Sequence, residues 1–240
     1  MNSRQERRLL LAVGFVILLG LAFLIWSIDA QRASQVPVDV GGKSILVYGA
    51  SEQQIVAIQS SFTFLQQPVK ESVTAIYVLD TSESYRHFGD SGFVGDCHSS
   101  GEICIVSHYF DYRIIWHEAS HAYTYTLSYA FKKEWLEAAG RIHYGAYAVD
   151  AGFPRDGILT SYGSTDWRED VAEWVAEIYS FISHLEYYIS HLEHGSFCRG
   201  AVFNMIVDMS DPRYHQKLKF LLKWEFISEE NYNHIKPLFE

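Results

Sequence analysis

Two histidines and a glutamate lie within five residues at a spacing that suits a metal site. His117, Glu118 and His121 form an HExxH pattern in the segment IIWHEASHAY. On a helix, positions four residues apart face the same way, so both imidazoles can bind one ion. Glu118 lies about 100° further round the helix and can take a proton from water on that ion. The pattern predicts a zinc-dependent hydrolytic centre with Glu118 as its base.

A catalytic zinc site needs a third protein ligand and leaves one position to water. A third histidine in the extended pattern HExxHxxGxxH is excluded, because Thr124 and Leu127 stand at its glycine and histidine positions. An acidic side chain about fifty residues later remains. The candidates in TDWREDVAEW are Asp166, Glu169, Asp170 and Glu173.

Glu169 and Glu173 are four residues apart at the start of a long helical pattern, so they would share one helix face. If Glu169 binds the metal, Glu173 can accept the outer N–H of a ligand histidine and fix its orientation. The two acids could equally be a solvated helix start, since acids favour the first turn. The residues alone leave the four candidates open, with Glu169 favoured.

HExxH followed at this distance by an ExxxE helix resembles the gluzincin metallopeptidases, especially compact members similar to the catalytic domain of anthrax lethal factor. The resemblance covers about 103–125 and 160–180. It implies that Glu169 is the third zinc ligand and that Tyr162, seven residues earlier, donates a hydrogen bond to the oxyanion. It also implies that the strand ICIVS, 103–107, binds a peptide substrate along its edge.

Residues 1–28 have the features of a membrane-targeting segment. Residues 9–28 are twenty uncharged, mostly apolar residues, enough for a helix to cross a hydrocarbon core of about 30 Å. Arg4, Arg7 and Arg8 precede them and favour a cytoplasmic N-terminus. We therefore expect a single-pass signal-anchor with the rest of the chain outside the cytosol. The alternative is a cleaved signal peptide and a secreted protein.

The remaining pattern predicts an α+β protein in which a short mixed sheet precedes a helical C-terminal part, and the resemblance implies that this part is a small zincin-like domain. We expect a cytoplasmic N-terminus at 1–8, the anchor at 9–28, a linker at 29–43 and the metallopeptidase-like domain at 44–240. Expected strands are 44–50, 74–80 and 103–107. Expected helices are 51–67, with Ser51 as its cap, then 112–130, 133–140, 168–193, 199–208, 213–224 and 228–236.

The net charge limits the classes of partner, and the cysteine spacing allows a disulfide. The net charge of −10 argues against nucleic acid, which requires clustered Lys and Arg, and favours basic or neutral protein substrates. Cys97 and Cys104 enclose six residues, so export would permit a disulfide between them; the alternative is that all three cysteines are ordinary thiols. No CxxC pattern supports a thiolate zinc site.

The expected function is therefore a membrane-anchored zinc endopeptidase that hydrolyses extracytoplasmic proteins with a zinc-bound water activated by Glu118. Its expected cofactor is Zn²⁺, and its expected partners are a peptide or protein substrate and the membrane. The alternative is a tethered, non-catalytic binding or scaffold module that keeps the fold. Glu118 argues against that alternative, because a pure binder has no need of a base.

Overall fold

A computed structural model of the chain describes residues 35–80, 94–140, 144–145, 153, 155–184 and 211–238. The described residues from Pro37 to Leu238 belong to one compact unit. The predicted anchor at 9–28 and the predicted helix at 199–208 lie outside the described residues. Within those residues, no helix has the length and apolar character needed to span a bilayer.

The described strands form one five-stranded mixed sheet: β1 (Gln35–Asp39), β2 (Ser44–Tyr48), β3 (Ala75–Leu79), β4 (Gly95–Cys97) and β5 (Glu102–Val106). Their order in the sheet is β1-β2-β3-β5-β4. Strand β3 runs parallel to both β2 and β5, whereas β4 runs antiparallel to β5. The three predicted strands correspond to β2, β3 and β5.

Two of the five described strands, β1 and β4, were not predicted from the sequence. Part of the expected linker at 29–43 is in fact β1, in which Val38 is buried, and Val40 is buried just after it. Pro37 obscured this pattern, but proline is tolerated in an edge strand. The three-residue β4 was also missed, because glycine and aspartate rarely indicate a strand.

The position of β4 corrects the expectation for the strand ICIVS. This segment is β5, which has a neighbouring strand on both sides and therefore no open edge. The sheet edge next to the helices is β4 instead. A peptide that pairs with the sheet on this side would meet β4, since only an edge strand has unpaired backbone groups.

The described helices are α1 (Glu52–Phe64), α2 (Gln67–Ser72), α3 (Tyr112–Thr126), α4 (Tyr129–Ala138), α5 (Trp167–Ser183), α6 (Pro212–Lys223) and α7 (Glu229–Ile235). Ser51 forms the predicted N-terminal cap of α1 in a reciprocal capping box with Gln54. The single helix expected at 112–130 ends at Thr126, because Leu127 and Ser128 are extended. Helix α5 has both of its ends described and is shorter than expected.

Packing between α3 and α5 is the most extensive contact between helices, and α3 also packs on α2, β4 and β5. Apolar side chains of α5 such as Val171, Trp174 and Ile178 are fully buried. This packing fixes α3 against α5 and against the β4 edge of the sheet. Side chains from all three elements can therefore converge on one place.

Candidate metal centre and active-site cleft

Both histidines of the HExxH pattern lie on one face of α3. The Nε2 atoms of His117 and His121 are 3.1 Å apart, and both side chains are buried. Asp111 caps the helix by accepting a hydrogen bond from the backbone N–H of Arg113. The HExxH residues therefore lie in regular helix, where the four-residue spacing aligns the two rings.

Glu169, near the start of α5, brings the third candidate ligand atom. Its Oε2 lies 3.1 Å from Nε2 of His117 and 3.2 Å from Nε2 of His121. The three atoms form a nearly equilateral triangle. In a tetrahedral site with zinc–ligand distances of about 2.0–2.1 Å, ligand atoms lie about 3.3 Å apart. The donor set and its spacing therefore fit a tetrahedral divalent cation.

The other acidic candidates have different roles. Asp166 is the N-cap of α5 and accepts a hydrogen bond from the backbone N–H of Arg168 at 2.9 Å. Asp170 is fully buried on another side of α5 and contacts Nζ of Lys217 at 2.5 Å. Among the described residues, the cluster that could hold a metal contains only Glu169 as its acid.

Glu173 lies one turn beyond Glu169 and accepts the outer N–H of His117. Its Oε1 is 3.0 Å from Nδ1 of His117, so the Nε2 lone pair of His117 faces the triangle when that proton is in place. Arg113 contacts the other oxygen of Glu173 at 2.7 Å and also contacts Glu177 at 2.8 Å. The contact of Glu173 with an imidazole nitrogen agrees with the sequence prediction, while its role in orienting a metal ligand stays a prediction.

No role was predicted from the sequence for Arg113 or Glu177, although each lies four residues from a predicted site residue. Arg113 precedes His117 by four residues, and Glu177 follows Glu173 by four. Each therefore extends the face of its helix that bears the site by one turn. Their contribution is to hold Glu173 in place, since the Arg113 guanidinium bridges the two glutamates.

His121 differs from His117 in its outer nitrogen. Nδ1 of His121 is buried and makes no hydrogen bond to any described residue. The ring is held instead by the contact of its Nε2 with Glu169 at 3.2 Å and by packing on His117, with the two imidazoles edge to face at 4.8 Å between centroids. A cation bound at Nε2 would hold the ring on the side where it already contacts Glu169 at 3.2 Å.

The pKa values of the metal-free site follow from this close packing. Burial works to lower the pKa of His117, but hydrogen bonds to Glu169 and Glu173 outweigh it and raise the pKa to about 9. Burial works to raise the pKa values of the two glutamates, yet the hydrogen bonds from His117 lower both to about 2. Without a metal, His117 thus acts as a proton-bearing partner of two carboxylates.

Glu118 is buried beside the three candidate ligands and lines an open cleft of about 390 Å³ that His121 and Glu169 also line. Burial raises its pKa to about 7, against the opposing effect of the two neighbouring histidines. A carboxyl group with this pKa can both accept and return a proton near neutral pH. The position suits the predicted base.

Gly95 of β4 makes room for the Glu118 carboxylate. A Cβ at position 95 would lie 2.7 Å from Oε1 of Glu118 and 2.9 Å from Cγ2 of Ile114. Any side chain there would overlap both groups. The close approach of strand and helix explains why glycine occupies this strand position.

Tyr162 lies in the turn before α5 and lines the same cleft. Its ring centroid is 5.8 Å from that of His117, and 55% of the residue surface is exposed. Partial burial and the nearby carboxylates of Glu169 and Glu118 raise its pKa, so the hydroxyl keeps its proton at neutral pH. The structure thus places a phenolic donor at the cleft beside the candidate metal-ligand cluster.

The predicted disulfide is wrong, because Cys97 and Cys104 both retain their thiols. Cys97 is opposite Ile103 in the β4–β5 ladder, and Cys104 is opposite Asp96. Directly opposite residues share a face of the sheet and successive residues alternate, so the two thiols lie on opposite faces. Short sequence separation is not enough for a bridge when the register separates the side chains.

Comparisons of the chain with known protein families, with curated proteins and with solved structures gave no match.

Proposed function

We propose that this protein is a zinc-dependent endopeptidase of the gluzincin type, with a compact zincin-like catalytic domain. The observation that carries the proposal is the triangle formed by His117, His121 and Glu169 with Glu118 beside it in an open cleft. A metal-binding module alone needs the triangle but has no use for a buried carboxylate next to it. A hydrolase needs both.

His117, His121 and Glu169 would hold the zinc ion. When bound, zinc polarises a carbonyl and makes water a nucleophile near neutral pH. Glu173 and Arg113 keep the imidazole of His117 oriented with its lone pair towards the triangle. The burial of these ligands excludes bulk water from all but the cleft side.

Glu118 accepts a proton from the attacking water as the new C–O bond forms at the scissile carbonyl. It then delivers that proton to the amine as the C–N bond breaks, so one water is consumed and an acid and an amine are produced. Tyr162 donates its hydroxyl proton in a hydrogen bond to the oxyanion of the tetrahedral intermediate. The backbone of β4, which lines the cleft at Gly95–Cys97, pairs with the extended substrate.

The first test uses the full chain in detergent micelles, zinc-loaded, with a mixed peptide library. We expect chelator-sensitive cleavage by the wild type, and we expect Glu118→Gln to retain zinc and lose at least about 100-fold in kcat. Glu137→Gln is the matched control, because Glu137 is an exposed glutamate on α4 away from the site.

Cleavage by Glu118→Gln at the wild-type rate would refute the mechanism. Zinc binding without chelator-sensitive cleavage by the wild type would instead support the tethered, non-catalytic module.

The proposal places the catalytic domain outside the cytosol, anchored through residues 9–28, on the strength of their length and of the arginines before them. Protease added to intact cells or right-side-out vesicles should remove the domain while the anchor stays in the membrane fraction. A domain protected until the membrane is opened would contradict this topology, and a domain found only in the medium would indicate signal cleavage.

A further inference from the structure

Arg168 brings a positive charge into a cleft that is otherwise acidic. It precedes the ligand Glu169 on α5, and among the described residues it is the only Lys or Arg that lines the cleft. Asp96 and Asp166 line the same cleft. The charge of Arg168 is therefore a local feature that the net charge of the chain does not indicate.

Two aromatic rings hold the guanidinium group of Arg168. Its central carbon lies 4.7 Å from the ring centroid of Trp167 and 5.5 Å from that of Tyr125. Trp167 is buried, so it provides a fixed platform. Stacking on aromatic faces limits the freedom of the guanidinium and leaves its N–H groups available at the edge.

The donors of this guanidinium are not used by the described part of the protein. No described acceptor takes a hydrogen bond from it, and the nearest carboxylate oxygen, on Asp166, is 3.8 Å away, beyond hydrogen-bond distance. By contrast, Arg113 and Arg213 contact their carboxylates at distances between 2.6 and 3.1 Å. Arg168 is thus a pre-positioned cation, 41% exposed, whose described anion, Asp166, is near enough for an ion pair but too far for a hydrogen bond.

We propose that Arg168 binds a carboxylate of the substrate, so that the cleft selects peptides with an acidic group at one position near the scissile bond. This inference rests on the proposed peptidase function. The planar fork of arginine matches a carboxylate through two parallel hydrogen bonds. Because Asp96 and Asp166 repel anions elsewhere in the cleft, the selection applies to one subsite. The carboxylate is that of an Asp or Glu side chain or of the peptide C-terminus.

The experiment compares peptides that differ only in charge. Peptide pairs carry Glu or Gln at each position around the cleavage site, and a second set ends in a free carboxylate or in an amide. For the wild type we expect a preference of about 10- to 100-fold in kcat/KM for the carboxylate at one position, the size of a charge-assisted hydrogen-bond pair. A side-chain preference indicates internal recognition, and a preference only for the free terminus indicates recognition of the chain end.

Arg168→Gln should abolish that preference while its zinc content stays at the wild-type level. Arg168→Lys should retain part of it, because the charge remains and the fork is lost. The matched control is Lys132→Gln, which removes another cation stacked on Trp167, at 5.6 Å, but from a residue that does not line the cleft. An equal carboxylate preference in wild type and Arg168→Gln would overturn the inference. So would equal wild-type rates on both members of every pair.

A binding measurement separates this inference from the peptidase proposal. Dissociation constants for the same peptide pairs are measured with zinc-loaded Glu118→Gln, with and without Arg168→Gln. If the wild type cleaves nothing but Arg168→Gln removes a carboxylate preference in binding, the peptidase proposal fails and the carboxylate site stands. If binding shows no preference that depends on Arg168, the carboxylate site fails whatever the cleavage result.

Discussion

At the scale of single residues, the site depends on side chains that would touch neither the metal nor the substrate. Glu173 reaches Nδ1 of His117, and Arg113 holds Glu173 in turn. Gly95 contributes by having no side chain, since the Glu118 carboxylate occupies the space where its Cβ would be. The chemistry of the proposed base and ligand is thus set by neighbours that orient them.

Glu173→Gln should weaken zinc binding by about 10- to 100-fold, the usual cost of losing a carboxylate behind a ligand histidine. The affinity is measured by competition with a chelator. Glu177→Gln is the control, because Glu177 contacts Arg113 on the same helix but is not a partner of His117. Equal affinities in wild type and Glu173→Gln would show that packing alone orients His117.

Gly95→Ala should lower kcat with zinc content unchanged, because the new methyl group overlaps the Glu118 carboxylate. It should also destabilise the fold by about 1–3 kcal/mol, as overpacked sites do. Denaturant unfolding tests the cause: in a Glu118→Ala background the penalty of Gly95→Ala should shrink. A penalty that is the same in both backgrounds would assign the strain to Ile114 alone.

At the scale of elements, α5 is fixed from two sides. Glu169 and Glu173 contact His117 of α3. Asp170, which lies between them in the sequence, contacts Lys217 of α6. Trp135 of α4 and Tyr144 donate hydrogen bonds to the same oxygen of Asp170, and all of these groups lie at or near the core. This polar network helps to fix the position of the helix that carries the proposed third ligand, Glu169.

Lys217→Met should cost about 3–5 kcal/mol of unfolding free energy, because it leaves the Asp170 carboxylate buried without its cation. Denaturant unfolding of the full chain measures the loss. The double variant Lys217→Met, Asp170→Asn should recover a large part of it, since no buried charge then remains. A single-variant cost below about 1 kcal/mol would show that Trp135 and Tyr144 suffice to stabilise Asp170.

At the scale of the whole molecule, stability and metal binding are linked through protons. In the metal-free protein, His117 has a raised pKa of about 9 against an ordinary 6.5. Its contribution to stability is fully present below pH 6.5 and is lost as pH rises to about 9. Glu169 and Glu173, with pKa values lowered to about 2, contribute above pH 4.5 and lose that contribution as pH falls towards 2.

Bound zinc should offset the loss of stability that the metal-free protein shows as pH rises from 6.5 to about 9. It binds the deprotonated imidazole, so its affinity should rise with pH between about 6.5 and 9, by up to about tenfold per pH unit. At a fixed, buffered free zinc concentration, the gain in Tm over the chelated protein should therefore grow across this range. His117→Ala serves as the control and should show little gain at any pH. A gain that is constant from pH 6.5 to 9 would contradict the raised pKa of His117.

Helices and buried strands with a clear period could be predicted from the sequence. The HExxH helix, the Ser51 cap and the three interior strands all depend on local spacing, which the chain alone contains. Strands β1 and β4 were not predicted, because proline, glycine and aspartate are uncommon in strands. These short edge strands are stabilised by pairing with the neighbouring strands. The disulfide prediction failed for a related reason, since it ignored the register that separates Cys97 from Cys104.

Local spacing determined that His117 and His121 face one way with Glu118 beside them, because a helix makes four residues one turn. The sequence by itself left four acids open as the third ligand. The packing of α5 against α3, and the contact of Asp170 with Lys217 of α6, distinguish them: Asp166 is a cap, Asp170 faces Lys217, and Glu169 and Glu173 lie at opposite nitrogens of His117. Contacts between residues some fifty positions apart depend on how helices pack, and no local pattern specifies that.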